Sequence, residues 1–325
     1  MNFLANNVLV IAEIGSNHDG NLDKAFELID VAAEAGANVA KFQSFLADEM
    51  YTPADSNYDL LKKLEMPREW YPQLMQRCEQ NGLRFLSTAT NDVTLGWMEE
   101  LGVSWYKVAS GNITHRPLIE RLLGIGKPVI FSTGLTTLNE LIELKTYLQA
   151  GGLNDTAFLH CVSEYPAPPE KIRLRNISVM KQLLDCPVGF SDHSMTTCLA
   201  FAAVTLGAQI VEKHITLDGA GLSPDHEFSL KPDQFRTMVD GIREIESGLF
   251  ADFTPNKEGM FALRRSLHFA SNLEAGHILT QKDLKIVRPE DGLSPNKLYD
   301  VIGHRLTRSV VCNDPVDWSD MEKDS

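Results

Sequence analysis

Two short segments, Gly189-Phe190-Ser191-Asp192-His193 and Val211-Glu212-Lys213-His214, each place a histidine just past an apolar run that reads as a buried strand. Parallel strands covered on both faces read as near-continuous apolar runs, and α/β barrels keep their chemistry at the carboxyl ends of such strands. Neighbouring strands lie about 4.8 Å apart, close enough for both imidazoles to reach one ion. Manganese, zinc or iron would suit two neutral imidazoles completed by oxygen or water, and no thiolate or third histidine selects among them. A few residues on, Ser223-Pro224-Asp225-His226 adds a carboxylate that could reach the ion or a substrate hydroxyl. The alternative is two core histidines that only pack.

Two lysines occupy similar places, Lys41 in Lys41-Phe42-Gln43 and Lys107 shortly before Ala109-Ser110-Gly111. A lysine within an apolar strand needs a partner. Three readings are open: a salt bridge to a carboxylate, a cradle of fixed cations for phosphate and carboxylate groups, or a Schiff base. Hydroxyls beside the lysines favour the cradle, since Thr88, Ser110 and Ser132-Thr133-Gly134 could each donate to a phosphate oxygen. Glu13 follows the first apolar run, ahead of Asn17 and His18 in a glycine-flanked turn, where a carboxylate serves equally as a general base or as an acceptor for loop amides. Ser163 and Tyr165 could line the same pocket, while His160 and Cys161 read as packing residues.

Positioning these groups together requires strands that end at one mouth. Eight apolar runs provide them: Val8 to Ala12, Val39 to Phe42, Arg84 to Ser87, Trp105 to Ala109, Val129 to Ser132, Ala157 to Cys161, Val188 to Phe190 and Ile210 to Glu212. They alternate with amphipathic stretches such as Asp23 to Ala35, where Ala25, Leu28, Ile29 and Ala32 share one face. Gly36, Gly82, Gly102 and Gly207 stand where left-handed helix caps are expected. Eight βα units predict a closed barrel. An open doubly wound sheet is disfavoured because the first turn, Gly15-Ser16-Asn17-His18-Asp19-Gly20, lacks the Gly-x-Gly-x-x-Gly spacing of a dinucleotide site. A last helix is expected near Pro232 to Glu246. The chain then divides into a barrel over residues 1–250, a linker over 251–263 and a small loop-rich domain over 264–325, with turns at Glu274-Ala275-Gly276, Pro289-Glu290-Asp291-Gly292 and Asn313-Asp314-Pro315.

Composition narrows the function classes. A length of 325 residues with 43% hydrophobic content is ample for a large core, and a net charge of −14 argues against general nucleic-acid binding and against docking on an anionic membrane. Five cysteines without a Cys-x-x-Cys pair fit free thiols in a reducing compartment. Without a basic leader or an apolar stretch of about 18 residues, the expectation is a soluble, cytoplasmic protein.

Taken together, Ile11-Ala12-Glu13-Ile14-Gly15-x-Asn17-His18-x-Gly20, Val39 to Gln43, Tyr106 to Ser110, Ser132 to Gly134, Ser163 to Pro166, Ser191-Asp192-His193, Glu212-Lys213-His214 and Pro224-Asp225-His226 resemble the N-acetylneuraminate (sialic acid) synthase family. The tail resembles that family's SAF, or antifreeze-like, domain through Arg265-Ser266-Leu267, Gly276 to Thr280 and Arg288-Pro289. The resemblance implies a TIM (β/α)8 barrel followed by a small β-rich SAF domain. It implies condensation of phosphoenolpyruvate with N-acetylmannosamine or a related N-acyl hexose, giving a nine-carbon 2-keto sugar acid and phosphate, with manganese as the usual metal. By position, Lys41, Thr88, Lys107, Ser110, Ser132, Ser163, Tyr165 and Ser191 would bind substrate, His193 and His214 would hold the metal, and Glu13 and Asp225 would face the reacting sugar. The family's domain-swapped homodimer would bring an arginine of the partner, here Arg288, to the sugar's acyl group. One departure bears on the substrate. Family members often carry an acid two positions after the serine, where this chain reads Ser110-Gly111-Asn112, so a legionaminic or pseudaminic acid synthase is an alternative. A carbohydrate-binding relative without turnover is another, because fold alone does not fix function.

Overall fold

The structure, a computed structural model, describes residues 7–249 and 261–323. It divides into two compact units, Met1–Ala251 and Asp252–Ser325. The linker expected over 251–263 falls outside the described residues as far as 260, and residues 261–263 are helical.

In the first unit, eight parallel strands close into a barrel in sequence order. They are β1 (Leu9–Gly15), β2 (Val39–Ser44), β3 (Arg84–Ala89), β4 (Tyr106–Val108), β5 (Val129–Ser132), β6 (Thr156–His160), β7 (Val188–Asp192) and β8 (Ile210–His214). The helix Leu22–Glu34 buries Ala25, Leu28, Ile29 and Ala32, the face expected from its spacing, and Asn21 caps it by accepting from the Lys24 amide. The last helix runs Pro232–Leu249, three residues longer than the sequence pattern suggested. Between strands and helices lies an apolar shell that includes Val10, Ala12, Ile14, Ala40, Phe42 and Phe131.

Alternation along each strand sends the intervening residues inward, so the interior is built in layers. The lowest contains Leu9, Ile11, Val39, Leu86, Trp105, Ile130, Leu159 and Ile210, which form a cluster separate from the outer shell. At this level β7 contributes Gly189, where an added Cβ would lie 2.6 Å from both Leu159 and Ile210 side-chain carbons. Only a residue without a side chain fits the floor there.

Five strands extend past the apolar runs that marked them: β1, β2, β3, β7 and β8 continue to Gly15, Ser44, Ala89, Asp192 and His214. The reason is physical. Above the apolar floor the inward positions are polar, so hydrophobicity stops before the hydrogen-bonded ladder does. Strand β4 is instead shorter than expected, and β6 is displaced by one residue toward the N-terminus.

The second unit holds two antiparallel pairs, β9 (Ser266–Phe269) with β10 (Leu284–Val287) and β11 (His304–Leu306) with β12 (Met321–Lys323). Leu267, Phe269, Leu279, Val301, Leu306 and Val316 form its core. The expected turn at Asn313 uses a left-handed backbone, with φ of 76°.

Candidate active site

Two residues above the floor, the same strands carry Glu13, Lys41, Thr88, Lys107, Ser132 and Glu212, all buried. Ladder register fixes their neighbours: Glu13 is opposite Lys41, Thr88 opposite Lys107, and Ser191 opposite Glu212. One layer higher stand Gln43, His193 and His214. These groups line a cavity of about 590 Å³ at the barrel mouth, together with Ser110, Cys161, Tyr165, Asp225, Glu227 and Phe228.

Lys41 sits between two carboxylates, 2.9 Å from Glu13 Oε2 and 3.4 Å from Glu212 Oε2, and donates to Thr88 Oγ1 at 3.3 Å. Lys107 donates to Ser132 Oγ at 2.6 Å and lies 4.0 Å from Glu212 Oε2. The salt-bridge reading of these lysines is thus borne out, and each also has the hydroxyl neighbour expected beside it. Burial works against the charge on Lys41, but Glu13 and Glu212 more than offset it and hold its pKa above the usual lysine value. Burial pushes Lys107 below that value, against the pull of Glu212.

The two carboxylates differ. Burial pushes Glu13 up despite Lys41, whereas on Glu212 burial is overcome by Lys107 and Lys41, which hold it below the usual carboxylate range. Ser191 donates to Glu212 Oε1 at 2.8 Å, and Gln43 Nε2 donates to Glu13 Oε1 at 2.8 Å. Glu212 is the main functional candidate to which no role was given from sequence. It lies two residues before His214 on β8, so strand alternation alone places it on the same inward face. Gln43 is readable the same way, two residues after Lys41.

His193 and His214 face each other with ring centroids 5.6 Å apart. The Nδ1–H of His193 donates to the Val162 carbonyl at 2.9 Å, which leaves Nε2 as the free electron pair. His214 Nδ1 is buried without a hydrogen-bond partner, 3.5 Å from Asp225 Oδ2. Burial lowers the pKa of His193, and burial followed by the neighbouring His193 holds His214 well below its ordinary value, so both rings are neutral. Neutral imidazole is the metal-binding form. Among the described residues no three His, Cys, Asp or Glu side chains form a complete ligand set. The orphaned Nδ1 of His214 and the free Nε2 of His193 are the two imidazole donors that the mouth offers.

Asp225 stands on the 3₁₀ turn Pro224–Phe228, whose Phe228 ring packs 4.8 Å from that of His214. Burial, then the charge of Glu13, pushes Asp225 up to about 7. On the opposite wall, the Gly134 amide donates to Ser110 Oγ at 2.9 Å, and a Cβ on Gly134 would run into Ser163 Oγ and lie 2.8 Å from Cys161 Sγ. Ser163 Oγ is buried and unpartnered. Cys161 packs as expected but also lines the mouth, 3.2 Å from Ser110 Oγ, while burial raises its thiol pKa. His160 is a packing residue, its Nε2–H donating to the Ile172 carbonyl at 2.5 Å. Tyr165 lies at the rim, its ring 4.5 Å from that of His193. Arg288 belongs to the second unit and is exposed.

Fold and site together define a (β/α)8-barrel protein with a C-terminal SAF domain and a mouth in which buried cations, hydroxyls and neutral imidazoles converge. Residues 28–251 match the NeuB family model and residues 264–322 match the SAF domain. The chain belongs to the NeuB family. It is 35% identical to spore coat polysaccharide biosynthesis protein SpsE of Bacillus subtilis, over 97% of this chain and 93% of that protein. It is 32% identical to N,N'-diacetyllegionaminic acid synthase of Campylobacter jejuni, over 93% and 96% respectively. The crystal structure of N-acetylneuraminic acid synthetase from Leptospira borgpetersenii, in complex with citrate, matches with a TM-score of 0.75 and 30% identity, covering 79% of this chain and 92% of that one.

Proposed function

We propose that this protein condenses phosphoenolpyruvate with the open-chain aldehyde of an N-acyl hexose, adding water and releasing phosphate to form a nine-carbon 2-keto sugar acid. The observation that supports it most is one cavity in which two buried lysines with hydroxyl neighbours lie beneath two neutral histidines. Fixed cations and hydroxyls suit a small ligand that carries both phosphate and carboxylate. In this reading Lys41, Thr88, Lys107, Ser110 and Ser132 hold phosphoenolpyruvate, helped by Ser163, Tyr165 and, through Glu212, Ser191.

His193 and His214 would hold a divalent ion, manganese by family resemblance, which when bound polarises the aldehyde oxygen. Asp225, with a pKa of about 7, gives its proton to that oxygen as the methylene carbon of phosphoenolpyruvate forms the new C–C bond. Glu13 orients a water and takes its proton as the water oxygen adds to the cationic C2 carbon. The C2–O bond to phosphate then breaks, its electron pair leaves with the phosphate, and the C2 hydroxyl loses its proton as the ketone forms. Lys41 and Lys107 balance the phosphate charge throughout.

The identity of the acyl sugar has a second reading. Asn112 donates to the Thr90 carbonyl at 3.4 Å and is not among the residues lining the mouth. No acid projects from that position, which favours a diacetamido deoxy hexose, leading to legionaminic or pseudaminic acid, over N-acetylmannosamine. The working form is proposed to be a homodimer in which the partner's Arg288 reaches the acyl group. No helix among the described residues is long and apolar enough to cross a membrane. The five free cysteines support a reducing, cytoplasmic setting.

The test is incubation with manganese, phosphoenolpyruvate and each acyl sugar, recording phosphate release and product mass with a chelator control. Chelator-sensitive phosphate release with a nonulosonic acid mass is expected, and the productive sugar identifies the substrate. No release with any acyl sugar would sink the synthase reading and leave a binding protein.

A further inference from the structure

We propose that the buried ion pair between Lys213 and Asp192 is a positioning device for the two histidines of the mouth; this rests on the reading of His193 and His214 as metal ligands. The pair lies on the outward side of the barrel, where neither residue can touch a ligand. Lys213 Nζ is 2.9 Å from Asp192 Oδ2, and both side chains are 0% exposed. Each residue immediately precedes one of the histidines, and the two are opposite each other in the β7–β8 ladder.

Their remaining bonds all go to the segment that begins with His193. Asp192 Oδ1 accepts from the Ser194 amide at 2.8 Å. Lys213 Nζ donates to the Ser194 carbonyl and, at 3.4 Å, to the Thr196 carbonyl. Residues 194 and 196 are thus stitched to the strand that carries His214, and His193 is held between this stitching and its own bond to the Val162 carbonyl.

Energetics argue that this arrangement serves geometry more than stability. A fully buried ion pair gives up the hydration of both ions, and their attraction roughly offsets that loss, so apolar residues of similar volume often serve stability equally well. Apolar residues cannot, however, bind the amide of residue 194 or the carbonyls of residues 194 and 196. Groups that orient metal-binding histidines from behind are worth roughly ten- to a hundredfold in metal affinity.

The experiment compares the full-length parent with the double variant Asp192→Leu/Lys213→Met and with His193→Ala/His214→Ala. Melting temperature is read by calorimetry and Mn²⁺ affinity by titration, without substrate. The apolar pair leaves the Ser194 amide and the carbonyls of residues 194 and 196 without their side-chain partners, so it should stay folded but melt below the parent. At temperatures where both are folded it should bind Mn²⁺ roughly ten- to a hundredfold more weakly. Binding that is lost in the histidine variant but unchanged in the apolar pair would overturn the positioning role and leave the metal reading standing. Binding indifferent to both histidines would overturn the metal reading and this inference with it. Should the apolar pair not fold, Asp192→Asn/Lys213→Met, which keeps the acceptor for the Ser194 amide, is judged by the same criteria.

Discussion

The floor of the barrel and the layer directly above it come from the same strands, two residues apart, yet they share no chemistry. Ile11, Val39, Leu86, Trp105, Ile130 and Ile210 become Glu13, Lys41, Thr88, Lys107, Ser132 and Glu212. Both layers are buried. The lower one gains about 2 kcal/mol for each large side chain taken out of water, whereas the upper one takes ionised groups out of water and is sustained only because its two lysines lie against its two carboxylates. One layer therefore secures the fold, and the other draws on that stability to hold charges where a small anion could meet them.

Substitutions across this boundary should separate the two roles. The largest effect is expected from Lys107→Met, which keeps the volume and removes the charge: kcat/KM for phosphoenolpyruvate should fall roughly a thousandfold, about 4 kcal/mol of transition-state stabilisation. A fall of less than tenfold in steady-state kinetics would contradict the cradle. Its counterpart below, Ile130→Ala, should cost on the order of 3 kcal/mol in urea unfolding and leave turnover of the folded protein intact; a large kinetic defect would mean that the layers are not separable. Glu13→Gln should lower kcat by about a hundredfold with little change in KM for phosphoenolpyruvate, and near-normal turnover would remove its role as base.

The smallest effect concerns a buried polar group outside both layers. His18 accepts from the Gly20 amide through Nδ1, and burial holds its pKa near 4. Because the unfolded chain binds that proton from about pH 6.5 downward, stability is complete above pH 6.5 and is lost as pH falls toward 4, by about 2 kcal/mol at pH 5. Between pH 7 and pH 5, unfolding curves should show a loss that is about 2 kcal/mol smaller in His18→Asn than in the parent, the remainder coming from other buried histidines such as His193 and His214.

The barrel was legible in the sequence because its floor and outer shell are apolar in every strand, and the helix faces followed their spacing. Strand ends were not, since Glu13, Thr88 and Ser191 look like loop residues when hydrophobicity alone marks a strand. Residue types and order brought Lys41, Lys107, His193, His214 and Asp225 to one mouth correctly. Side-chain partnership was beyond reach: nothing linear shows that Lys41 is shared by two carboxylates, or that Lys213 is paired with Asp192.

That sharing of Lys41 has a consequence for selectivity. The mouth already contains its own counter-ions, so a simple monovalent anion has little to gain by entering. A multiply charged ligand can compete with Glu13 and Glu212 for Lys41, so its affinity is what remains after those contacts are given up.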